Sequence, residues 1–357
     1  MFRVPFCPDC SVGNSLSWPS QSTKHQKSKD PHPIFRVNPL VTIAIPTYAR
    51  LPYLRQAVES ALAQDYQPIE IVIGNDGDVP ELHEWCFEQA KADPRIRYQK
   101  NEKNLGLAGN WNRLADSARG EFIIIIGDDD RLLPEFVAKT VGLMRPHVSL
   151  VFTNHYVIDE SGDRLESEAK RFTTEYGRSD LEAGIVPDAE KYAWRNSIPI
   201  SAALMRTADV RRLRFKEDLN NPELELFLRL AREGAKFAFV PEYLGEYRVH
   251  SQTETTSTGL KSDHLVDYLL DTPVRPDLEP YKATYLRSIM VNAVTRRLVA
   301  GDRSRARRFL NSSYYPVALR GGITWLLQVA CAYIPIVGPS VYQAVARIRG
   351  SIQKSHK

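Results

Sequence analysis

The stretch VTIAIPTYARLPYLRQAVESALAQDYQPIEIVIGNDGD, residues 41–78, holds the repeating unit of the fold. VTIAIP (41–46) is a short apolar run and reads as a buried strand. Residues 52–64 then place Leu54, Val58, Ala61 and Leu62 on one helical face, with Pro52 in the first turn, where its missing N–H leaves no gap in the ladder. IEIVIG (69–74) is a second buried strand. Outward from there the alternation continues: a helix over 80–92, a strand over 96–100, a helix over 108–118, the very apolar strand EFIIIIG (121–127), a helix over 134–144 and a strand over 149–154. Strands alternating with helices of this length predict an α/β fold, a mostly parallel, Rossmann-like sheet covered by helices on both faces.

Beyond residue 155 the pattern weakens. Residues 155–195 are polar and lack a sustained period, which predicts a hairpin and a mobile loop. ISAALMR (200–206) reads as a strand. PELELFLRLAREG (222–234) reads as a helix opened by Pro222 and closed by Gly234. Residues 237–250 read as strand segments, and from about 260 the chain is helical and increasingly basic.

Composition narrows the class. The chain has 357 residues, 43% apolar and 25% charged, which excludes collagen-like and wholly disordered chains. Four cysteines make no disulfide framework, so a reducing, cytoplasmic compartment is expected. No secretory signal and no confident membrane span are evident. Residues 1–38 are rich in Ser, Pro, Lys and Gln and read as a flexible leader; its Cys7-Pro-Asp-Cys10 has metal-site spacing, but no second pair follows to complete a zinc site. The net charge of +4 hides an asymmetry: residues 281–357 carry +12 and the rest −8.

Ligands of open parallel sheets bind beyond the carboxyl ends of the strands. At those ends lie Pro46, Thr47, Tyr48 and Arg50, then Asn75, Asp76 and Gly77, then Asn101, Asn104 and Gly106, and finally Gly127 with Asp128, Asp129 and Asp130. Three carboxylates beside an apolar strand need a partner, because an unpaired buried charge is costly. A divalent Mg or Mn ion bridging to phosphate is the natural one. The alternative for the triad is a solvated cap on the following helix, and for Asp76 a turn residue holding its own backbone.

Together, residues 41–78 and NLGLAGNWNRLADSARGEFIIIIGDDDRLLPE (104–135) resemble the family 2 inverting glycosyltransferases, which have the GT-A fold. The resemblance covers residues 40–155 well and reaches about 250 less tightly. It implies a catalytic domain over 39–258, a nucleotide-diphosphate sugar donor and a divalent cation. It implies that Pro46, Thr47 and Tyr48 line the nucleotide edge, that Asp76 contacts the base, and that Asn104 and Gly106 lie near the nucleotide-sugar, with Asn110 a weaker candidate. Asp129 and Asp130 match the metal-binding turn. The family often reads Asp-x-Asp-Asp there, whereas the first position here is Gly127, so Asp128 is expected to take over a donor contact. The general base falls on Glu223 in NNPELELFLRLAREG (220–234), where the family usually has Asp; Asp218 and Glu225 are rivals. In YRVHSQTETTS (247–257) the resemblance implies that Arg248 neutralises phosphate and His250 ligates metal or phosphate.

RSRARR (303–308), the apolar stretch ITWLLQVACAYIPIVG (323–338) and RIRGSIQKSHK (347–357) fit a helical C-terminal region, 259–357, that lies on the cytoplasmic face of an anionic membrane. The competing reading is a core helix with solvated arginines around it. A membrane location would suit a glycan or lipid-linked acceptor. Nucleic acid is not expected as a partner, because no recognition module accompanies the charge. Two other functions compete with sugar transfer. One is a catalytically inactive nucleotide-binding scaffold at a membrane. The other is a nucleotidyltransferase, for which PTYARLPY is a poor phosphate loop.

Overall fold

A computed structural model describes residues 38–250 and 261–334. The leader with Cys7 and Cys10, the end of the 247–257 segment and the last basic run lie outside the described residues. The order is β1 (Val41–Thr47), α1 (Leu51–Leu62), β2 (Ile69–Asn75), α2 (Pro80–Ala92), β3 (Ile96–Lys100), α3 (Gly106–Ser117), β4 (Phe122–Ile125), β5 (Arg131–Leu132), α4 (Phe136–Val141) and β6 (Val148–Ile158). Then come α5 (Glu166–Glu175), β7 (Gly184–Ile185), α6 (Ala189–Trp194), β8 (Ala203–Arg206), α7 (Thr207–Leu213), α8 (Pro222–Arg232), β9 (Lys236–Arg248), α9 (Lys261–Asp271), α10 (Glu279–Val299), α11 (Arg303–Asn311) and α12 (Ile323–Tyr333).

The strands form one sheet in the order β3-β2-β1-β4-β8-β6-β9-β5, with β7 also on β9. The β3-β2-β1-β4 half is parallel, and β8 joins it antiparallel. Alternate residues of β1, β2 and β4 go to opposite faces. Ile43, Ile45, Ile71, Ile73 and Ile124 pack towards α1, α2 and α4, while Ala44, Val72, Ile123 and Ile125 join the core under α3, α6 and α8. Each fully buried Ile or Leu contributes about 1.5–3 kcal/mol. Burial on both faces is why these strands read as unbroken apolar runs. It also fixes the register that sets Pro46 beside Gly74 and Thr47 beside Asn75 at the carboxyl edge.

Two expectations need correction. Residues 155–195 are a hairpin only at their start, where β6 runs on to Ile158 and an antiparallel bridge joins Ile158 to Arg164; α5 and α6 then stand where a loop was expected. α5 buries Ala169 as its one fully enclosed residue, so it has almost no apolar stripe to read. Within 200–206, only Ala203–Arg206 is strand; Ile200–Ala202 form a single tight helical turn.

The C-terminal helices pack into the same core, through Leu286, Met290, Val294 and Leu298 of α10 and Phe309 of α11. Gln328, which interrupts the apolar run, is buried in α12. It donates to the Val291 carbonyl and the Thr295 hydroxyl at 3.0 Å each and accepts from Tyr315 at 2.7 Å. Several basic residues of this region are paired: Arg308 with Asp267 and Asp271, Arg305 with Asp267, and Arg296 and Arg297 with Asp263. No helix among the described residues is long and apolar enough to cross a membrane. The outer side of α12 and the turn before it leave Val317, Leu319, Ile323 and Leu326 exposed.

Candidate active site

β4 delivers its chain end to the carboxyl edge and stops. The Ile126 amide still bonds the Ala44 carbonyl at 3.0 Å, and the Asp130 amide closes back on the Gly127 carbonyl at 3.2 Å. That tight turn spreads three consecutive carboxylates. Asp128 accepts the Thr47 hydroxyl at 2.7 Å and lies 2.6 Å from Arg50 Nη2. Asp129 Oδ2 lies 2.7 Å from Arg50 Nη1 and 3.0 Å from His250 Nε2. His250 Nε2 is itself 3.2 Å from the same Arg50 nitrogen. Asp130 accepts the Arg248 amide at 3.0 Å. Burial pushes Asp128 up to about 6 despite the Arg50 charge, and it drives Asp130 upward as well. Burial alone would lower Arg50, but Asp128 and Asp129 outweigh it and raise its pKa.

Gly127 has a steric role. A Cβ there would stand 2.6 Å from Asp129 Oδ1 and 3.2 Å from Asp130 Oδ2. The space that the family's first acid would take is filled here by the Asp129 carboxylate.

A second cluster forms after β2. Asn75 Oδ1 accepts the Gly77 amide at 2.9 Å, which folds the turn. A Cβ on Gly77 would fall 1.7 Å from the Tyr48 carbonyl oxygen, so glycine is what lets the two loops touch. Thr47 is buried, and Tyr48 beside it is 58% exposed, an aromatic face open at the sheet edge. Asp76 accepts from the Leu105 and Gly106 amides at 2.8 Å and from Asn101 Nδ2 at 2.9 Å. Its charge thus sits at the start of α3, where exposed amides and the helix dipole favour an anion. Asn104 Oδ1 accepts the Gly106 amide at 2.7 Å, and Gly106 has φ +73°, a conformation glycine adopts without strain. Asp76, Asn104 and Gly106 are therefore brought together, as partners of one another. Asn110 is buried and donates to the Gly74 carbonyl at 2.8 Å.

Glu223 stands apart, in the first turn of α8. Asn221 caps that helix by accepting the Leu224 amide at 3.1 Å, and the same Asn221 reaches the Tyr285 hydroxyl of α10 at 3.3 Å. Glu223 is half-buried, and one carboxylate oxygen is enclosed without a hydrogen-bond partner among the described residues. Burial pushes its carboxyl up to about 7. Its rivals are placed differently. Glu225 is fully buried, paired with Arg229 at 2.7 Å and accepting the Tyr268 hydroxyl at 2.9 Å. Asp218 is exposed, on the rim of a cavity of about 560 Å³ shared with Arg232 and His264.

Arg248 is fully buried, and its guanidinium bonds the Asp129, Asp159 and Glu160 carbonyls and the Gln56 side chain at 2.8–3.2 Å, over the Tyr53 ring. A guanidinium so committed ties the acidic turn to the β6 loop. The cation that faces the carboxylates is Arg50. Its position after the first strand marked the edge it lies on, but a pairing across 79 residues has no local signal.

Residues 42–195 match the glycosyl transferase family 2. That stretch of the chain is of the family 2 glycosyltransferase type. An uncharacterized glycosyltransferase of Methanocaldococcus jannaschii is 27% identical over 236 residues, 64% of this chain and 77% of that relative. A GalNAc(5)-diNAcBac-PP-undecaprenol beta-1,3-glucosyltransferase of Campylobacter jejuni is 24% identical over 229 residues, 64% of this chain and 71% of the relative. Among solved structures, S. aureus TarS 1–349 in complex with UDP-GlcNAc aligns with a TM-score of 0.58 at 14% identity, over 87% of this chain and 91% of that one. The mannosyltransferase PcManGT of Pyrobaculum calidifontis, in complex with GDP-Man and Mn2+, aligns with a TM-score of 0.53 at 18% identity, over 90% of each chain. Both likenesses show the GT-A type of fold for this chain.

The donor set suits a divalent cation. Asp129 Oδ2 and His250 Nε2 are 3.0 Å apart and share the same Arg50 nitrogen, so a carboxylate and an imidazole already converge on one positive group. Among the described residues, no three His, Cys, Asp or Glu side chains form a complete metal cage. Two protein ligands with the rest from phosphate and water is the usual arrangement for Mg2+ at a diphosphate.

Proposed function

We propose that this glycosyltransferase moves a sugar from a nucleoside-diphosphate donor to an acceptor hydroxyl with inversion, and that Glu223 is its general base. The observation that carries the reading is the Glu223 carboxyl, half-buried, without an ion pair among the described residues and pushed up to about 7. A base works best when its pKa lies near the operating pH. Asp129 and His250 would hold the cation, with Asp130 beside them, and Asp128 would help to fix the turn. When bound, Mg2+ or Mn2+ would neutralise the charge that grows on the departing diphosphate. Tyr48 offers a face for the base, with Pro46 and Thr47 beneath it and Asp76, Asn104 and Gly106 at the neighbouring strand end. Glu223 takes the acceptor proton, the acceptor oxygen bonds the anomeric carbon from the opposite face, and the bond to the diphosphate oxygen breaks with its electron pair.

The fold likeness to chains solved with UDP-GlcNAc and with GDP-Man and Mn2+ supports a donor of this class. The name of the Campylobacter relative supports a glycan or lipid-linked acceptor and a role in polysaccharide synthesis. The exposed Val317, Leu319, Ile323 and Leu326, beside exposed Arg320, support peripheral contact with an anionic cytoplasmic leaflet; sedimentation with anionic but not neutral vesicles is the expected result. The central test is a melting-temperature panel of UDP, GDP, ADP, CDP and dTDP, each with and without Mn2+. A ligand bound only by the folded chain raises its melting temperature. One diphosphate should do so in a metal-dependent way, and Asp129→Ala should abolish the shift. No shift with any of the five would overturn the donor site.

A further inference from the structure

Arg50 stands where a divalent ion would have to stand. One nitrogen of its guanidinium is 2.6 Å from Asp128, and the other is 2.7 Å from Asp129 and 3.2 Å from His250 Nε2. The two groups that suit a metal, Asp129 and His250, are thus both engaged by one tethered cation. A divalent ion entering between them would meet the guanidinium at contact distance, and two like charges so close in a partly dry site repel strongly. Arg50 therefore has to leave for the metal to enter.

The geometry allows it to leave. Arg50 precedes α1 and is not locked into a cap: its side chain makes no helix-capping bond, and it is 24% exposed. It needs another anion to go to. A diphosphate is one, because its paired oxygens match the guanidinium fork. A metal without diphosphate gives the guanidinium no such destination.

We propose that Arg50 is a tethered counter-cation that holds the metal position until a nucleoside diphosphate arrives, and that it then turns onto the phosphates. Metal and donor consequently load as a pair. The guanidinium neutralises Asp128 and Asp129 in the empty site and becomes a phosphate contact in the filled one. Each ligand raises the affinity for the other, and part of that coupling runs through one side chain. This rests on the reading of Asp129 and His250 as metal ligands.

The test measures Mn2+ binding itself, by the electron paramagnetic resonance signal of free Mn2+, on the full chain without nucleotide. Arg50→Gln should bind Mn2+ alone at least tenfold tighter than the wild type. With Mn2+ present, it should bind the diphosphates of the panel at least tenfold more weakly. Arg50→Lys keeps a charge beside Asp128 and carries the test where the glutamine variant does not fold. A lysine reaches one carboxylate rather than two, so Mn2+ alone should bind it several-fold tighter than the wild type. If Mn2+ alone binds the folded variants no tighter than the wild type, while the wild type still binds Mn2+ with a diphosphate, the counter-cation role falls and the metal site stands. If the wild type and the variants bind no Mn2+ even with a diphosphate, the metal site itself falls and takes the proposal with it.

Discussion

The acidic turn after β4 and the first turn of α8 handle carboxylates in opposite ways. Asp128, Asp129 and Asp130 sit amid donors: Arg50, His250, Thr47 and the Arg248 amide. Glu223 has an enclosed oxygen with no hydrogen-bond partner among the described residues, and burial raises its pKa against the opposing pull of its own backbone amide. The first arrangement surrounds its carboxyl groups with hydrogen-bond donors and one cation, although burial still raises Asp128 and Asp130. The second leaves a carboxyl poised between its protonated and ionised forms, as a proton acceptor must. The two differ because Arg50 faces the first, while no cation among the described residues is paired with Glu223.

The largest effect should come from removing the poised group. Glu223→Gln keeps the shape and the helix cap and removes the base, so kcat should fall about 100- to 10,000-fold. Donor binding in the melting-temperature assay should be unchanged. Asp129→Asn should show the reverse emphasis, with donor and metal binding lost first. If Glu223→Gln weakened donor binding as much as turnover, the separation of the two acidic regions would collapse.

The same contrast predicts a pH dependence. Glu223 has its pKa raised from 4.5 to about 7 in the folded chain, with burial as the main cause. Between those values the folded chain holds a proton that the unfolded chain has lost. The contribution is therefore full below about 4.5 and lost as pH rises through about 7. Over the same range kcat should rise, since the base must be ionised to act. Melting curves and rates from pH 5 to 8 should move in opposite directions for the wild type. Glu223→Gln should lose this component of the stability change; an unaltered difference between variant and wild type across that range would place the titrating group elsewhere.

How far this was legible in the sequence differs between the halves of the chain. β1, β2 and β4 are buried on both faces, so their apolar runs announce them, and the polar residues after each run mark the edge where ligands bind. The arrival of His250 beside Asp129 at that edge was readable only through the family resemblance, since nothing local joins residues 121 apart. α5 escaped notice because it packs through so few apolar positions. The contacts of Arg248 with the Asp159 and Glu160 carbonyls have no local signal either, because the β6–β9 pairing brings them together. Tyr285 near Glu223 was invisible for the same reason: its hydroxyl meets Asn221 only once α10 packs against α8.

The smallest effect concerns the crowding of the acidic turn. Gly127 is not in the left-handed region, so alanine there carries no backbone strain of that kind. The added methyl meets Asp129 Oδ1 at 2.6 Å, and that atom is the end of a rotatable side chain rather than backbone. The carboxylate can turn aside at a cost of up to about 1.5 kcal/mol for an off-rotamer angle. Turning it shifts Asp129 away from Arg50 and His250 and spoils the alignment on which metal loading depends. Gly127→Ala should therefore melt within a few degrees of the wild type and bind Mn2+ with a diphosphate about tenfold more weakly, while Glu223 retains its pH dependence. Gly77→Ala is the control that distinguishes local adjustment from general damage. Its methyl meets the Tyr48 backbone oxygen at 1.7 Å, which cannot rotate away, so it should lower stability far more than Gly127→Ala. Equal destabilisation by the two alanines would mean that the acidic turn is as rigid as the backbone beneath it, and the contrast between a tethered set of carboxylates and a poised one would need a different physical basis.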